Sequence, residues 1–249
     1  MLGSDLKLGT TPCRRVLLTA LACASLGAPA HAAGGRTAAI EAEISSLSAQ
    51  VDQLEGARAV RKLQRAFGYY VDRGLWDEAA DLFADDGAVE IGMDGVYVGK
   101  ARIREYLQRL GGGKPGLAYG QLNEHLQLQP KIDVSSDGLT AEGRWRDLAM
   151  LGQFGKSAAW GDGIYENAYV KEQGVWKIKA LHLYINFVAP FEGGWARLVP
   201  APSDWRTDVA KAFPPDRPPT ANYRPFPEAQ VPPFHYRNPV SGRPYEGRP

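Results

Sequence analysis

The chain has 249 residues, a formal net charge of +1 and 44% hydrophobic residues. That length suits one domain of ordinary size with extensions, and the hydrophobic content is typical of a globular protein. A near-neutral chain without long basic runs is not expected to bind nucleic acid. Both cysteines, Cys13 and Cys23, lie near the N-terminus, so the remaining chain offers no disulfide, thiolate nucleophile or cysteine-bound zinc site.

Residues 1–32 have the features of a secretion signal. Arg14 and Arg15 precede an apolar run over residues 16–26, and a small-x-small cleavage pattern ends at Ala32. The apolar run is too short for a comfortable membrane span. The arginine pair permits either a twin-arginine or an ordinary signal. We therefore expect a periplasmic or secreted protein whose mature form has no membrane partner.

Residues 33–58 form a predicted N-terminal helical arm with apolar residues spaced alternately by four and three. These residues are Ile40, Ile44, Leu47, Val51 and Leu54. The spacing is that of an a/d seam over about two heptads. It predicts either a short coiled-coil arm that pairs the subunits of a homo-oligomer, or one long amphipathic helix packed on its own domain.

Residues 59–190 form the predicted main domain, which opens with three helices. The first helix ends at Asp72, the second covers residues 76–84, and the third covers residues 100–110. The second helix is expected to turn Ala79, Leu82 and Phe83 towards the core.

Turn signals separate these helices from one another and from the sheet. Asp85-Asp86-Gly87 is predicted to end the second helix. Residues 88–93 and 96–99 are then predicted to form a hairpin around a two-residue Asp94-Gly95 turn. The glycine-rich segment 111–116 has no serine or threonine after its lysine, which favours a lid or connector over a phosphate loop.

Four long strands are predicted after the helices. They cover residues 124–134, 140–154, 158–171 and 175–188, with Gln173-Gly174 as a tight hairpin turn. Helices followed by antiparallel strands predict an α+β fold with the helices on one face of a curved sheet.

Strand alternation predicts which side chains face the interior. On the second of these strands, Trp145 and Asp147 are expected to face inward. On the fourth, the residues expected on the inward face are Trp176, Ile178, His182, Tyr184 and Asn186. On the first strand, simple alternation places His125 opposite the apolar residues that follow it, unless Pro130 marks a bulge.

Residues 191–249 form a predicted proline-rich C-terminal arm, because 13 of the 18 prolines fall between Pro200 and Pro249. Such a segment is not expected inside a sheet. The interleaved aromatic residues favour an arm docked on the domain or on a neighbouring subunit. The alternative is a disordered tail.

Three motifs together resemble a known family. Asp72 precedes a Leu75-Trp76 corner, His125 opens the strand before the turn at Asp137-Gly138, and Gly174-Val175-Trp176-Lys177-Ile178 opens the last strand. This layout resembles the SnoaL-like branch of the NTF2-like superfamily and the similar scytalone dehydratases. The resemblance implies a cone of helices and curved sheet around a pocket. One departure is Val71, where the scytalone enzymes carry a tyrosine.

The resemblance also implies acid–base chemistry by side chains alone, with no metal and no cofactor. Asp72 and His125 would orient and deprotonate a small-molecule substrate. On chemical grounds, His182 or Tyr184 could protonate a leaving oxygen or stabilise an enolate-like charge. The residues expected to bind the substrate are Tyr69, Tyr70, Trp145, Asp147, Tyr165, Tyr184 and Asn186.

The predicted function is a cofactor-free lyase. It would remove water, or a small carbonyl fragment such as formaldehyde, from a hydroxylated aromatic or lignin-derived compound. An isomerase or cyclase using the same pocket, and a non-catalytic binding or assembly protein, remain alternatives. Each site residue also has a plain interpretation: Asp72 as a helix cap, His125 on the surface, His182 in the core, and Asp147 as an ion-pair partner of Arg144 or Arg146.

Overall fold

The computed structural model describes residues 30–202, 204–228 and 232–245, with side chains from residue 35 onward. Most of the predicted secretion signal, residues 1–29, lies outside the described residues. The chain divides into two units, one up to Ile44 and one from Ser45 onward. Among the described residues, no helix combines the length and the apolar character needed to cross a membrane.

The main unit combines helices with one six-stranded sheet. The helices are α1 (Ala30–Asp72), α2 (Trp76–Asp81), α3 (Lys100–Leu110) and α4 (Asp208–Ala212), and a short 3-10 helix covers Gly194–Arg197. Helix α1 begins in the first unit. The strands are β1, Phe83–Ile91, β2, Val96–Val98, β3, Gln121–Val134, β4, Thr140–Gln153, β5, Ser157–Glu172, and β6, Val175–Pro190. The sheet order is β2-β1-β6-β5-β4-β3, and only the β1–β6 pair is parallel among the described strands. The predicted α+β class is confirmed.

The long strands β3 to β6 form an antiparallel meander with short turns. Gln173 and Gly174, between β5 and β6, have φ values of 51° and 81°. A two-residue hairpin turn with both φ values positive matches the right-handed twist of its strands, and glycine adopts it without strain. The predicted tight turn is confirmed.

The region between α2 and α3 differs from its prediction in two places. The second helix ends at Asp81 rather than at residue 84, and β1 already begins at Phe83. Asp85 and Asp86 do not turn the chain; they lie in an irregularity of β1, whose Phe83 and Ala88 pair with Ile178 and Ala180. The pairing with β6 therefore overrides the local turn signal.

The β1–β2 hairpin is confirmed, but its turn is longer than two residues. Glu90 pairs with Val96, which leaves five residues in between. Asp94 is fully buried and accepts hydrogen bonds from the Tyr106 hydroxyl at 2.8 Å and from the Thr207 backbone N–H at 2.7 Å. This carboxylate fastens α3 and the chain before α4 to the turn, which explains why the turn carries an aspartate.

The core lies between the helices and one face of the sheet. Its large buried side chains include Phe67, Phe83, Ile103, Trp145, Tyr169, Ile178 and Leu181. The seam residues of α1 are outside this core: Leu47, Val51 and Leu54 are 53%, 51% and 72% exposed, and in the first unit Ile40 and Ile44 are exposed as well. Within the second unit, Leu47, Val51 and Leu54 therefore do not contribute to the core of the single chain.

A bulge in β6 changes which side chains face the core. Ala168 pairs with Ala180, whereas the next residue, Tyr169, pairs with Ile178, so that Lys179 is an extra residue. One extra residue reverses the alternation of all residues beyond it. Leu181 and Leu183 consequently join the core after Trp176 and Ile178. The prediction that His182, Tyr184 and Asn186 share that inward face is wrong.

The described C-terminal arm packs on its own chain in two places. Around α4 it contacts α3, where the Arg102 guanidinium lies 4.0 Å from the ring centre of Phe213, and further along it packs on β6 and on the sheet face away from the helices. Tyr223 accepts a hydrogen bond from the Ile185 backbone N–H at 2.8 Å, and the Phe226 backbone N–H donates to the Asn186 carbonyl at 2.7 Å. Further along, the Arg144 guanidinium lies 4.0 Å from the ring centre of Phe234. The described arm is therefore docked on its own chain.

Candidate active site

His125 and Asp147 form a pair at the edge of the core, on strands β3 and β4. His125 Nδ1 lies 3.2 Å from Asp147 Oδ2, and their side chains are 19% and 5% exposed. His125 is on the inner side because the bulge between Leu128 and Lys131 reverses the alternation of β3, so that Ile132 and Val134 also contact the core. Asp147 reaches the same side by the regular alternation of β4. The bulge considered for Pro130 and the inward direction of Asp147 are confirmed.

Asp72 has a different role from the one expected of it. It is the last residue of α1, and its Oδ1 accepts a hydrogen bond from the His125 backbone N–H at 2.8 Å. Burial raises the pKa of Asp72, and the hydrogen bond and charge of His125 limit the increase. The partner of the imidazole ring is Asp147, while Asp72 ties the start of β3 to the end of α1.

The pKa of His125 is higher than its ordinary value of 6.5. Burial by itself would lower this pKa, but the hydrogen bond and charge of Asp147 raise it more, with smaller contributions from Asp72 and Glu124. A carboxylate next to Nδ1 favours the tautomer in which Nδ1 carries the hydrogen and donates it. Nε2 is then free to accept a proton.

The pair lines an apolar cavity of about 210 Å³ inside the cone. The cavity lies between α1, α3 and the sheet, and its wall includes Phe67, Trp76, Leu107, Tyr165, Leu183 and Phe187. The other polar residues of the wall are Asn123 and Asp162. A largely apolar pocket with a few polar groups at one place is the usual form of a small-molecule site.

In this wall, one carboxylate oxygen of Asp147 can still accept a hydrogen bond. Its Oδ1 is buried and has no hydrogen-bond partner within the described chain. The two arginines considered as its ion-pair partners bond elsewhere: Arg144 to Glu166, and Arg146 to Asp162 at 2.7 Å. A buried acceptor without a partner is costly, so it marks a position where a bound molecule would find a hydrogen-bond acceptor.

A buried network of hydrogen-bonded amide side chains lies next to the His125–Asp147 pair, and it was not predicted from the sequence. Gln64 is fully buried; its Nε2 donates to Gln127 Oε1 at 2.8 Å, and its Oε1 accepts from Asn167 at 3.0 Å and from the Tyr169 hydroxyl at 2.8 Å. Gln127 is also hydrogen-bonded to Tyr165. One signal was available: Gln64 is a polar residue on the apolar face that contains Val60 and Phe67.

The structure brings only some of the predicted binding residues to the cavity. Tyr165 lines it, and burial raises the pKa of its hydroxyl well above the ordinary value. Trp145 is fully buried and donates to the Tyr169 hydroxyl at 3.1 Å, outside the cavity wall. Tyr70 packs against the core, whereas Tyr69 is 72% exposed and lines an outer groove.

Two other predicted residues, His182 and Tyr184, lie on the opposite face of the sheet, and Asn186 lies at an irregularity of β6. His182 stacks on Tyr184 with ring centres 3.7 Å apart, and its Nδ1 lies 3.5 Å from Glu90 Oε2. Asn186 donates to Asp162 at 2.5 Å from an irregular position in β6. The bulge at Lys179 separates His182 and Tyr184 from His125, so the three do not form one site.

Within the described part of the chain, no three His, Cys, Asp or Glu side chains are arranged to hold a metal ion. The chemistry that His125 and Asp147 offer by themselves is proton transfer at Nε2, with hydrogen bonding at Asp147.

Comparison with known proteins identifies the family. The profile of the SnoaL-like domain matches residues 52–182, more than half of the chain. No curated protein sequence matches the chain. Among solved structures, a protein named as a scytalone dehydratase from Novosphingobium aromaticivorans DSM 12444 is 23% identical, with 55% of this chain and 89% of that chain covered and a TM-score of 0.48.

A second similar structure is the hexachlorocyclohexane dehydrochlorinase LinA-type3 from Novosphingobium barchaimii LL02. It is 20% identical, with 61% of this chain and 99% of that chain covered and a TM-score of 0.50. At this identity the likeness concerns the fold. The family profile covers the helices and strands that carry Asp72, His125 and Asp147, and the chain belongs to the SnoaL-like family.

Proposed function

We propose that the protein is a cofactor-independent lyase in which His125 is the general base and Asp147 orients it. The observation that carries the proposal is the His125–Asp147 pair in the wall of an otherwise apolar cavity. A positioned imidazole contributes about 10²- to 10⁴-fold to a proton-transfer step, provided that its pKa lies near the working pH. Asp147 shifts the pKa of His125 upwards from its ordinary value, which is the direction that favours a general base at neutral pH.

The proposed reaction begins when Nε2 of His125 takes a proton from the substrate. Asp147 stabilises the imidazolium that forms, because its carboxylate accepts from Nδ1. The Tyr165 hydroxyl stays protonated, since burial raises its pKa, and it can donate a hydrogen bond to an oxygen on which negative charge develops. For loss of water, the proton leaves a C–H bond, the C–O bond breaks, and the imidazolium protonates the leaving oxygen. For loss of a carbonyl fragment such as formaldehyde, the proton leaves the hydroxyl, the C–C bond breaks, and the imidazolium protonates the product carbon.

The cavity limits the size of the group that can react. A dry cavity of about 150 Å³ can hold one benzene molecule. The 210 Å³ cavity therefore has room for one aromatic ring with a short substituent. A hydroxyl on that substituent would donate to the unpartnered Asp147 Oδ1. We infer a hydroxylated aromatic substrate, with lignin-derived compounds as the natural source to test.

Any further part of the substrate would lie on an aromatic rim next to the cavity. Phe187 and Val188 line the cavity, and the Phe187 ring lies 5.7 Å from the ring of Trp195. Trp195 and Val188 are 55% and 48% exposed. Exposed aromatic surface beside a pocket is suited to a second apolar group of a ligand.

The experiment uses the chain from Ala33 onward, incubated with a panel of hydroxylated aryl compounds in the presence of chelator. Products are followed by chromatography and mass spectrometry. We expect a mass loss of water or formaldehyde that falls by at least about 100-fold in His125→Gln and is unchanged in the exposed control Asp52→Asn. Conversion without a mass change would indicate an isomerase or cyclase, and no conversion of any compound would favour a binding protein.

We further propose that the protein is exported and forms a homo-oligomer through α1. The supporting observations are the signal-like N-terminus and the exposure of Leu47, Val51 and Leu54. Fractionation of cells that express the chain tests the first proposal. Light scattering of the wild type beside Leu47→Glu tests the second, because a charged residue in an apolar interface should dissociate the subunits.

A further inference from the structure

A second cavity, of about 410 Å³, lies on the sheet face away from the helices. We call it the outer cavity. Strands β1, β4, β5 and β6 form its floor, and the described C-terminal arm contributes Arg217, Thr220 and Phe234 to its wall. It shares no lining residue with the cavity that contains His125 and Asp147. A ligand in the outer cavity would therefore be independent of the proposed lyase site.

The strand register explains why there is space here. Ala180 on β6 pairs with Ala88 on β1 and with Ala168 on β5, and Ala168 pairs with Glu142 on β4. Three methyl groups thus lie side by side across three strands. Larger side chains at these positions would fill the space beneath the arm, so the alanines keep an apolar floor open.

The next row of the same face carries charge. Glu90 and Glu166 are both register partners of His182. Glu166 is satisfied, because it pairs with Arg144 and lies 2.7 Å from His235 Nδ1. Glu90 accepts from the Thr220 backbone N–H at 2.8 Å and from the Thr220 hydroxyl at 2.6 Å, and it feels the charge of Arg217.

Glu142 is the carboxylate of the outer cavity that remains unpaired. It makes no hydrogen bond and no ion pair within the described residues. Arg144 pairs with Glu166, and Arg217 acts on Glu90, so neither arginine pairs with Glu142, which is an exposed carboxylate at the edge of the cavity. An unpaired carboxylate at this position is complementary to a monocation.

His182 adds a neutral acceptor at the other side of the alanine floor. Burial lowers its pKa to about 4, so the ring is neutral at physiological pH. The nearby Glu90 carboxylate favours the hydrogen on Nδ1, which leaves Nε2 as an acceptor. That Nε2 is buried and has no partner within the described chain. His182 and Glu142 lie two strands apart and two residues apart along the strands, which places their Cα atoms about 12 Å from each other.

We propose that the outer cavity binds a small amine whose apolar body separates an ammonium group from a hydroxyl. The ammonium pairs with Glu142, the body lies on the methyl groups of Ala88, Ala168 and Ala180, and the hydroxyl donates to His182 Nε2. Each group of the ligand matches one feature of the described cavity: the unpaired carboxylate of Glu142, the apolar floor and the free acceptor of His182.

Calorimetry at pH 7.5 with three matched probes tests the proposal. Tyramine carries all three features, phenethylamine lacks the hydroxyl, and tyrosol replaces the ammonium by a neutral group. We expect tyramine to bind, and each of the other two probes to bind about fivefold more weakly. Absence of tyramine binding at millimolar concentration, or equal affinity for all three probes, overturns the proposal.

Two variants locate the binding. Ala168→Leu fills the floor and should abolish binding, while Ala158→Leu on an exposed part of the same strand should not. Glu142→Gln should weaken tyramine about fivefold, while the exposed control Glu78→Gln leaves it unchanged. If Ala168→Leu does not fold, the Glu142 comparison still decides. An unchanged affinity in Glu142→Gln contradicts the proposed site, whereas loss of binding in His125→Gln would place tyramine in the inner cavity and contradict the site equally.

Discussion

His182 should make the folded protein less stable in mild acid, and the size of the effect follows from its burial. Its pKa falls from an ordinary 6.5 to about 4 in the folded chain, because desolvation penalises the charged ring. Between these values the unfolded state binds a proton that the folded state does not. The free energy of unfolding therefore rises with pH in this window and is lost as the pH falls from 6.5 towards 4.

The magnitude follows from proton linkage. At pH 7 the contribution of His182 protonation to the free energy of unfolding is close to zero. At pH 5 almost every unfolded molecule carries the proton on His182, whereas few folded molecules do. The difference amounts to about 2 kcal/mol lost between pH 7 and pH 5. Glu90, the carboxylate that faces His182, acts in the opposite direction, because burial raises its pKa. Its contribution is present in wild type and variant, so a comparison isolates that of His182.

Urea unfolding of wild type and His182→Gln at pH 7 and pH 5 measures this term. We expect the variant to be less stable than wild type at pH 7, since a stacked ring is lost, but to lose about 2 kcal/mol less between the two pH values. The same pH dependence in both proteins would refute the reasoning. It would mean that His182 titrates normally in the folded state.

Three further predictions concern the inner cavity and the fold around it. Asp147→Asn should lower kcat about 10- to 100-fold and shift the acidic limb of kcat/KM to lower pH, because the charge that raises the His125 pKa is gone. A pH–rate profile measures both effects, and an acidic limb at the same pH as in wild type would contradict the pairing of His125 with Asp147. Trp195→Ala should raise KM about fivefold for two-ring substrates and leave KM for one-ring substrates unchanged, and Phe154→Ala, at a residue that is 78% exposed, is the control. Steady-state kinetics in which KM rises equally for both kinds of substrate would contradict a role of the aromatic rim in binding the second ring. Asp94→Ala should lower the free energy of unfolding by about 3 kcal/mol, since the buried donors of Tyr106 and Thr207 lose their acceptor. Denaturant unfolding measures this change, and a loss below about 1 kcal/mol would show that water replaces the carboxylate.

Local patterns in the sequence were sufficient to predict which segments form helices and which form strands. They also predicted most of the residues at which these elements begin and end. The third helix has the predicted bounds, and the four long strands agree to within three residues at each end. These features depend on periodicity and turn chemistry, which neighbouring residues determine. For the same reason alternation on β4 predicted correctly that Asp147 faces inward. His125 was selected from the family resemblance, because simple alternation placed it opposite the apolar residues of its strand.

Interactions between distant segments decided the rest. The first strand begins five residues earlier than its turn signal suggests, because β1 gains hydrogen bonds from β6. The partner of His125 is Asp147 rather than Asp72, and this depends on how β3 and β4 align. Gln64 is satisfied by Asn167 and Tyr169, more than 100 positions away.

The sequence by itself determined the α+β class, the order of helices and strands and the family to which they belong, since each of these follows from short-range pattern. The tertiary structure alone decided which polar residues share a cavity. The bulge at Lys179 moved His182 and Tyr184 from the expected inner site to the opposite face. Strand alternation is a local rule, but a single extra residue reverses it, and only the pairing of β6 with its neighbours determines where that residue lies.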